Sequence, residues 1–179
     1  MLKSEKDVLE FWRDQNIFEK TMENRKNSKV FTFFDGPPFP TGLPHWGHIT
    51  ISQIKDTVLR FYTQKGYYIP RRWGWDCHGV PVEKIAEKEL GIKDRREIED
   101  RVGIQAFNDL CRDRVMAFDA EWRTSIERIG RWVDMDDQYR TMDNDYMESV
   151  WWGLGKLWNK NLIYKDYRMS LYSPSIGIP

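Results

Sequence analysis

Short apolar runs alternate with amphipathic stretches along this chain, a pattern that is typical of mixed α/β folds. Ser4 is followed by an apolar face from Val8 to Trp12, which predicts a capped amphipathic helix within an N-terminal helical extension over residues 1–27. Residues 22–28 are polar and predict a loop. Residues 30–34 are apolar and β-favouring, so they predict a buried strand.

A loop rich in proline and glycine follows that strand, and a helix and a second strand come next. Apolar residues recur at helical spacing over residues 51–62, so a helix is predicted to begin near Gly47 and to end at Lys65–Gly66. Residues 67–72 predict a strand. Strand, helix and strand in this order form a βαβ unit, which implies a parallel sheet. Ligands of such sheets gather at the carboxyl ends of the strands.

The rest of the chain is predicted to be mostly helical, at about residues 93–161. Residues 82–90 predict a charged helix, and one apolar stripe from Ile104 to Ile129 predicts a single long helix. Trp122 lies on this stripe and Trp158 on a later one, so both are expected to be core residues. Another helix is predicted to begin at Asp143 or Asn144, and the loosely alternating residues 162–172 predict a strand. The predicted fold class is therefore α/β, with a parallel sheet and helical additions.

Composition narrows the classes of function without choosing one. The 28 lysines and arginines balance the 28 aspartates and glutamates, so net charge gives no argument for nucleic-acid binding. Two distant cysteines, Cys77 and Cys111, form no disulfide framework or Cys-x-x-Cys pair. The N-terminus lacks the apolar core of a signal peptide, and no apolar run reaches membrane-spanning length. A cytoplasmic location with no membrane partner is therefore expected.

All three histidines of the chain, His45, His48 and His78, fall in loops at the ends of predicted strands. His45 and His48 flank Gly47 at a predicted helix start, where free N–H groups and the helix dipole favour an anion. Glycine admits a phosphate close to the backbone, and imidazoles donate hydrogen bonds to it. The alternative is a capped helix with two surface histidines. The preceding Gly36–Pro38 loop and the βαβ setting favour the anion site.

Two motifs resemble those of one enzyme family. Residues 38–48 (PFPTGLPHWGH) are similar to the His-x-Gly-His signature region of class I aminoacyl-tRNA synthetases. Residues 74–83 (GWDCHGVPVE) resemble the companion motif of the isoleucine branch of that family. Valine enzymes read Thr-Asp-His-Ala there, and leucine enzymes lack the histidine. The segments 132–134 and 151–152 are similar as well, so the resemblance covers nearly the whole chain.

The resemblance implies roles for matching residues. His45, Gly47 and His48 are expected to bind ATP. The two imidazoles are also expected to stabilise the transition state at the α-phosphorus. Asp76 is expected to hold the α-ammonium group of the amino acid, through a charge-assisted hydrogen bond.

Further positions are implied around that carboxylate. Gly36 and Pro37 are expected to form the floor of the amino-acid pocket, and Trp75 and His78 are expected to play supporting roles. The alternative for Asp76 is a helix cap for the segment that starts near Pro81. The supporting role expected of His78 is structural, as a residue that braces Asp76.

The resemblance also implies what the fold contains and binds. Residues 28–179 are expected to be the first half of a Rossmann-like class I catalytic domain that ends before the editing insertion. The expected ligands are isoleucine, ATP with Mg²⁺ and tRNA(Ile), the last mainly through missing regions. No Lys-Met-Ser-Lys-Ser loop is present, so weak or no activity is expected of the chain alone. The full-length enzyme is expected to be a monomer.

Metal binding by protein ligands is not expected in this chain. Relatives often carry a cysteine pair for zinc where Ser173 and Ile176 stand here, so a zinc site is not predicted there. No dedicated carboxylate cage for magnesium is visible in the sequence either.

Three alternatives remain open from the residues. The chain could belong to a valine- or leucine-type synthetase, because much of the side-chain pocket is expected from missing residues. It could be another nucleotidyltransferase with a His-x-Gly-His loop, against which residues 74–79 argue. It could also be a non-catalytic interaction module derived from a synthetase, against which intact His45, His48 and Asp76 argue.

Overall fold

The computed structural model describes residues 4–174, which divide into two units at Asp143/Asn144. A π-helical turn spans Ile98–Val102. The strands are β1 (Arg72–Trp75) and β2 (Asp134–Arg140). The α-helices are α1 (Glu5–Asp14), α2 (Ile17–Glu23), α3 (Trp46–Gln64), α4 (Val80–Leu90), α5 (Ile104–Val115), α6 (Asp119–Arg128) and α7 (Asn144–Asn159). None of the helices in this described range is both long and apolar enough to cross a membrane.

Helices α1 and α2 lie in the segment that was predicted as a helical extension. The Ser4 side chain accepts a hydrogen bond from the Asp7 N–H at 3.2 Å, which confirms the predicted cap of α1. The Arg60 guanidinium lies 3.8 Å from the ring centroid of Trp132 and 4.8 Å from that of Trp12. Cation–π contacts therefore join the extension to α3 and to the segment after α6.

The predicted βαβ unit is present, but its strands are shorter than predicted. Val30 pairs with Tyr68 in a single parallel bridge, and the Phe31 N–H donates to the Tyr68 carbonyl at 2.9 Å. The prediction of a full strand over 30–34 is wrong, because after this one bridge the chain extends without a continued ladder. The second predicted strand begins at Arg72 rather than at residue 67. Helix α3 connects the two segments as predicted.

Strand β1 pairs with β2 in parallel, which confirms the α/β class. Strand β2 was not predicted, because its sequence DMDDQYR is rich in aspartate, which is rare in strands. The register is irregular. Arg72 pairs with Asp134 and Gly74 with Tyr139, so β2 bulges between the two pairs. The bulge brings the Tyr139 ring across Gly74.

The Tyr139 ring can lie across β1 only because residue 74 is a glycine and has no side chain. A Cβ at Gly74 would overlap the Tyr139 ring far inside van der Waals contact. We expect Gly74→Ala to lower the free energy of unfolding by about 1–3 kcal/mol, since the ring must move within a packed sheet. Urea denaturation measures this. Gly42→Ala is the control, because a Cβ at Gly42 meets no atom within 4 Å. Equal stability of the two variants would contradict the packing described.

The core is built on three tryptophans, Trp73, Trp75 and Trp122, each at most 1% exposed. Their ring centroids lie 5.3 to 5.9 Å apart, at edge-to-face or tilted angles. Val115 of α5 and Ile126 of α6 pack against this cluster. Because α5 and α6 each bury one face here, the tryptophans fix both helices against β1.

The single long helix predicted from Ile104 to Ile129 is wrong, since the chain breaks between α5 and α6. Tight i→i+3 hydrogen bonds, from the Ala117 N–H to Arg114 and from the Asp119 N–H to Met116, replace the helical pattern at the break. The apolar spacing survives because both helices turn the same side to the core. Hydrophobic periodicity alone therefore could not show the break.

The unit from Asn144 onward contains α7 and an extended tail. Helix α7 begins at the predicted residue and has no buried side chain, and Trp158, which was predicted to be core, is exposed. The prediction of a strand over 162–172 is wrong, because those residues form no regular structure. A strand needs a neighbour for its N–H and C=O groups, and no strand of the described chain pairs with residues 162–172.

Candidate active site

His45 and His48 lie together at the start of α3, as predicted. His45 is the N-cap residue, and its Nδ1 accepts a hydrogen bond from the Gly47 N–H at 3.1 Å. The Nδ1 atom of His48 accepts one from the His45 N–H at 3.2 Å, and the two rings stack with centroids 3.7 Å apart. A neutral imidazole whose Nδ1 accepts a bond carries its proton on Nε2. Both rings therefore keep an Nε2–H donor that the cap does not use.

This geometry combines the two readings of the histidine pair. The side chains do cap the helix, which satisfies two N–H groups that would otherwise be unpaired at its start. The same bonds hold each ring in the tautomer that donates from Nε2. A cap and an anion-binding pair are therefore compatible here.

A glycine is required at position 47 for a structural reason that the sequence did not reveal. A Cβ at this position would lie 2.9 Å from Cε1 of His45, closer than real Cβ contacts allow. The glycine lets the His45 ring lie across the helix start. The predicted role, close approach of a phosphate to the backbone, stays a prediction.

Trp122 also contacts the pair. Its ring centroid lies 4.8 Å from that of His48, and its indole N–H donates to the Gly42 carbonyl at 2.7 Å. One buried side chain therefore supports both His48 and the loop that precedes α3. Trp122 was predicted to be a core residue from its helical spacing, which is confirmed, but nothing in that spacing indicated the contact with His48.

The pKa of His48 is lowered from its ordinary value of 6.5, first by partial burial and second by the neighbouring His45. The folded chain therefore binds fewer protons than the unfolded chain as the pH falls below 6.5. The lowered pKa of His48 therefore makes the folded state less stable as the pH falls below 6.5. A lowered pKa favours the neutral form of the His48 ring at pH 7.

We expect the ring-proton NMR signals of His48 to titrate with a midpoint below 6.5. In His45→Asn the midpoint should rise only partly, because asparagine can still cap the helix while the second ring, the smaller cause, is gone. Adding inorganic triphosphate should raise the midpoint, since an anion stabilises the imidazolium. A midpoint at or above 6.5 in the free chain would contradict the described environment.

Asp76 follows β1 directly and is half-buried. Its N–H donates to the Pro38 carbonyl at 2.9 Å, which ties the end of β1 to the Gly36–Pro38 loop. Within residues 4–174 the Asp76 carboxylate makes no hydrogen bond or ion pair. The alternative reading as a helix cap has no support, since α4 has Gly79 as N-cap and no side-chain cap bond. The Asp76 backbone is thus tied to the loop that contains the predicted pocket floor, and its carboxylate has no partner among the described residues.

The residues under that floor were missed by the sequence reading. Asp35 is buried and forms ion pairs with Lys55 and with Arg131. The Lys55 Nζ also donates to the Gly36 carbonyl at 3.0 Å. Arg131 lies 96 positions from Asp35, so no local spacing could join them. The only available signal was the type of residue, because charged side chains among apolar neighbours require partners when buried.

The two predicted supporting residues differ in the structure. Trp75 is fully buried, and its indole N–H donates to Oε1 of Gln138 at 2.6 Å, so it supports β1 from the core. His78 is exposed and makes no hydrogen bond to Asp76, so the predicted bracing is not seen between these described side chains.

A metal site is not evident in the described part of the chain. No group of three or more His, Cys, Asp or Glu side chains there could hold an ion. Of the two positions named in the zinc prediction, Ile176 lies outside the described residues. That prediction remains untested.

The fold and the two motifs agree with a comparison to known families. Residues 7–178 match the model of the family described as tRNA synthetases class I (I, L, M and V). The match covers nearly all of the sequence, so the chain belongs to the class I tRNA synthetase family.

Similar curated proteins are isoleucine–tRNA ligases. The chain is 50% identical over 175 residues to that of Protochlamydia amoebophila (strain UWE25), a match covering 98% of this chain and 17% of that protein. It is 47% identical over 170 residues to that of Treponema pallidum (strain Nichols), with 95% and 16% covered. The chain thus spans about a sixth of the length of these relatives.

A solved structure shows the same fold. It is that of the ternary complex of Agrobacterium radiobacter K84 agnB2 LeuRS, tRNA and LeuAMS, with a TM-score of 0.59. The match covers 88% of this chain and 18% of that one, at 21% identity. The likeness supports the fold class alone.

Proposed function

We propose that this chain provides the first part of the amino-acid activation site of an isoleucine–tRNA ligase. The observation that carries the proposal is the half-buried Asp76 carboxylate, which has no partner in the described chain and is tied to the Gly36–Pro38 loop. An ammonium group bound there gains a charge-assisted hydrogen bond. The 50% identity with isoleucine–tRNA ligases over 98% of the chain supports isoleucine as the amino acid.

The proposed reaction is attack by the carboxylate of isoleucine on the α-phosphorus of ATP. A bond forms between the carboxylate oxygen and phosphorus, and the bond from phosphorus to the bridging oxygen of pyrophosphate breaks. Isoleucyl-adenylate and pyrophosphate result. Asp76 holds the ammonium group, and Gly36 and Pro37 form the floor beneath the substrate. The substrate is thereby positioned for attack.

His45 and His48 act on the phosphates in this proposal. Their Nε2–H groups, which the helix cap leaves available, donate to oxygens on which charge builds during the displacement. Magnesium would be brought by ATP and would neutralise part of the charge on its phosphates.

We infer that residues 28–179 form the first half of the catalytic domain and that other parts of a longer protein complete it. The support is the coverage of only 17% of the relatives' length. Binding of tRNA(Ile), a monomeric full-length state and a cytoplasmic location belong to the same proposal. Selectivity for isoleucine over valine also depends on parts outside this chain.

An ATP–pyrophosphate exchange assay tests the proposal. The full-length protein should exchange in the presence of isoleucine and not of leucine, and valine should bind at least about 0.8 kcal/mol more weakly because it lacks one methylene. The 179-residue chain alone should exchange weakly or not at all. Leucine-dependent exchange, or full turnover by the short chain, would contradict the assignment.

A further inference from the structure

A buried ionic cluster lies directly under the Gly36–Pro38 loop. It consists of Asp35, Ser52, Lys55 and Arg131. The side chains of Asp35 and Arg131 are each 3% exposed, and their charged groups form an ion pair. Arg131 also donates to the Ser52 hydroxyl at 3.1 Å, and its guanidinium lies 5.0 Å from the ring centroid of Trp73. The cluster therefore spans α3, the segment after α6 and the core.

The loop above this cluster has no regular structure of its own, but its carbonyls are held from three directions. The Asp35 carbonyl accepts from the Tyr139 hydroxyl at 2.6 Å, and the Gly36 carbonyl accepts from the Lys55 Nζ at 3.0 Å. The Pro38 carbonyl accepts from the Asp76 N–H at 2.9 Å. Lys55 connects the loop to the cluster, because it also pairs with the Asp35 carboxylate. The backbone that borders Asp76 is thus anchored to the cluster.

Stability alone gives a weak reason for such a cluster. Burying an ion pair removes two charges from water, and apolar side chains of similar volume often give equal or greater stability. The Nε–H of Arg131 is buried without a hydrogen-bond partner in the described structure, which adds a further desolvation cost. The cluster instead supplies conformational specificity, because an ion pair with hydrogen bonds holds a loop in one conformation.

We propose that Arg131 and Lys55 are positioning residues for the amino-acid site. Acting through Asp35, they hold the Gly36–Pro37 backbone at the place where the substrate meets Asp76. This inference rests on the proposed function, because it assigns these residues to the same pocket. It predicts an effect on the amino acid and not on ATP, since neither residue has a described contact with His45 or His48.

The first test compares substrate KM values in the full-length protein by pyrophosphate exchange. In Arg131→Met and in Lys55→Met, the KM for isoleucine should rise roughly tenfold or more, because a small displacement of a positioning group is costly. The KM for ATP should stay within about twofold of wild type on the same reasoning. Lys55 is partly exposed, so its variant decides the question by the same criterion if Arg131→Met does not fold.

The matched control is Arg71→Met. Arg71 is equally buried and pairs with Asp56 at 3.3 Å, but it has no described hydrogen bond to residues 35–38. It should lower the melting temperature and leave the KM for isoleucine unchanged. An equal rise of the KM for isoleucine in Arg71→Met, or no rise in Lys55→Met and Arg131→Met, would overturn the proposal.

A double variant separates positioning from stability. Asp35→Leu combined with Arg131→Met replaces the ion pair by apolar groups, so part of the melting temperature lost in Arg131→Met should return. The raised KM for isoleucine should remain, because the loop has lost the ion pairs of the Asp35 carboxylate with Arg131 and Lys55. Recovery of both would overturn the proposal. If wild-type protein shows no isoleucine-dependent exchange, the proposed function fails instead, which is a distinguishable result.

Discussion

Replacing Asp76 by alanine in the full-length protein is expected to reduce isoleucine-dependent pyrophosphate exchange by roughly two to three orders of magnitude. The change leaves a bound ammonium group without its counter-charge in a partly desolvated pocket, a loss of about 3–4 kcal/mol, and each 1.4 kcal/mol is a factor of ten. Kinetics at saturating ATP, with isoleucine varied, measure the loss as a fall in kcat/KM for the amino acid.

Stability provides the control for this prediction. Because the Asp76 carboxylate has no partner among the described residues, Asp76→Ala should change the free energy of unfolding by less than about 0.5 kcal/mol. Asp113→Ala, on the exposed surface of α5, is the matched variant and should retain full exchange. Normal exchange by Asp76→Ala would remove this residue from the site. Loss of exchange together with a large loss of stability would indicate a structural role.

The sequence predicted the fold well where one periodicity dominated. Helix α3 runs from Trp46 to Gln64 as its apolar spacing indicated, and the parallel pairing of Val30 with Tyr68 follows from the strand–helix–strand order. It failed where tertiary contacts decide. Strand β2 is acidic and forms because β1 lies beside it, and the α5–α6 break leaves the apolar stripe unchanged. The segment 162–172 has strand-like residues but pairs with no strand in the described part of the chain.

The candidate site divides in the same way. His45 and His48 are three residues apart, so a helix start is enough to bring their rings together. The proximity of Asp76 to the Gly36–Pro38 loop agrees with the strand–helix–strand order, because the segment before the loop pairs in parallel with the segment before β1 through Val30 and Tyr68. The support for Asp35 from Arg131 crosses 96 positions and could only be seen in three dimensions.

The histidine pair also shows why a structural role and a chemical role need not compete. Each Nδ1 atom accepts a backbone hydrogen bond, which stabilises the start of α3 and holds the ring in place. Because that bond occupies Nδ1, the proton of the neutral ring is on Nε2, and this N–H can donate a hydrogen bond to a phosphate oxygen. The cap therefore prepares the donor that the proposed reaction uses.

Trp122→Ala is expected to produce the largest loss of stability, about 3–5 kcal/mol in the free energy of unfolding. The indole is 1% exposed and packs against the other two core tryptophans, so its removal leaves a cavity where α6 meets β1. It also leaves the Gly42 carbonyl without its donor. Since domains are stable by about 5–15 kcal/mol, much of the chain should unfold at low urea concentration.

Two variants test this reasoning by urea denaturation. Trp122→Phe keeps an aromatic ring but loses the bond to Gly42, so it should cost about 1–2 kcal/mol. Trp151→Ala in α7 removes an exposed ring and should change stability by less than about 0.5 kcal/mol. A Trp122→Ala variant as stable as Trp151→Ala would mean that the tryptophan cluster does not hold α6 against β1. The inference that Trp122 supports His48 would then fail too, because it depends on the same buried ring.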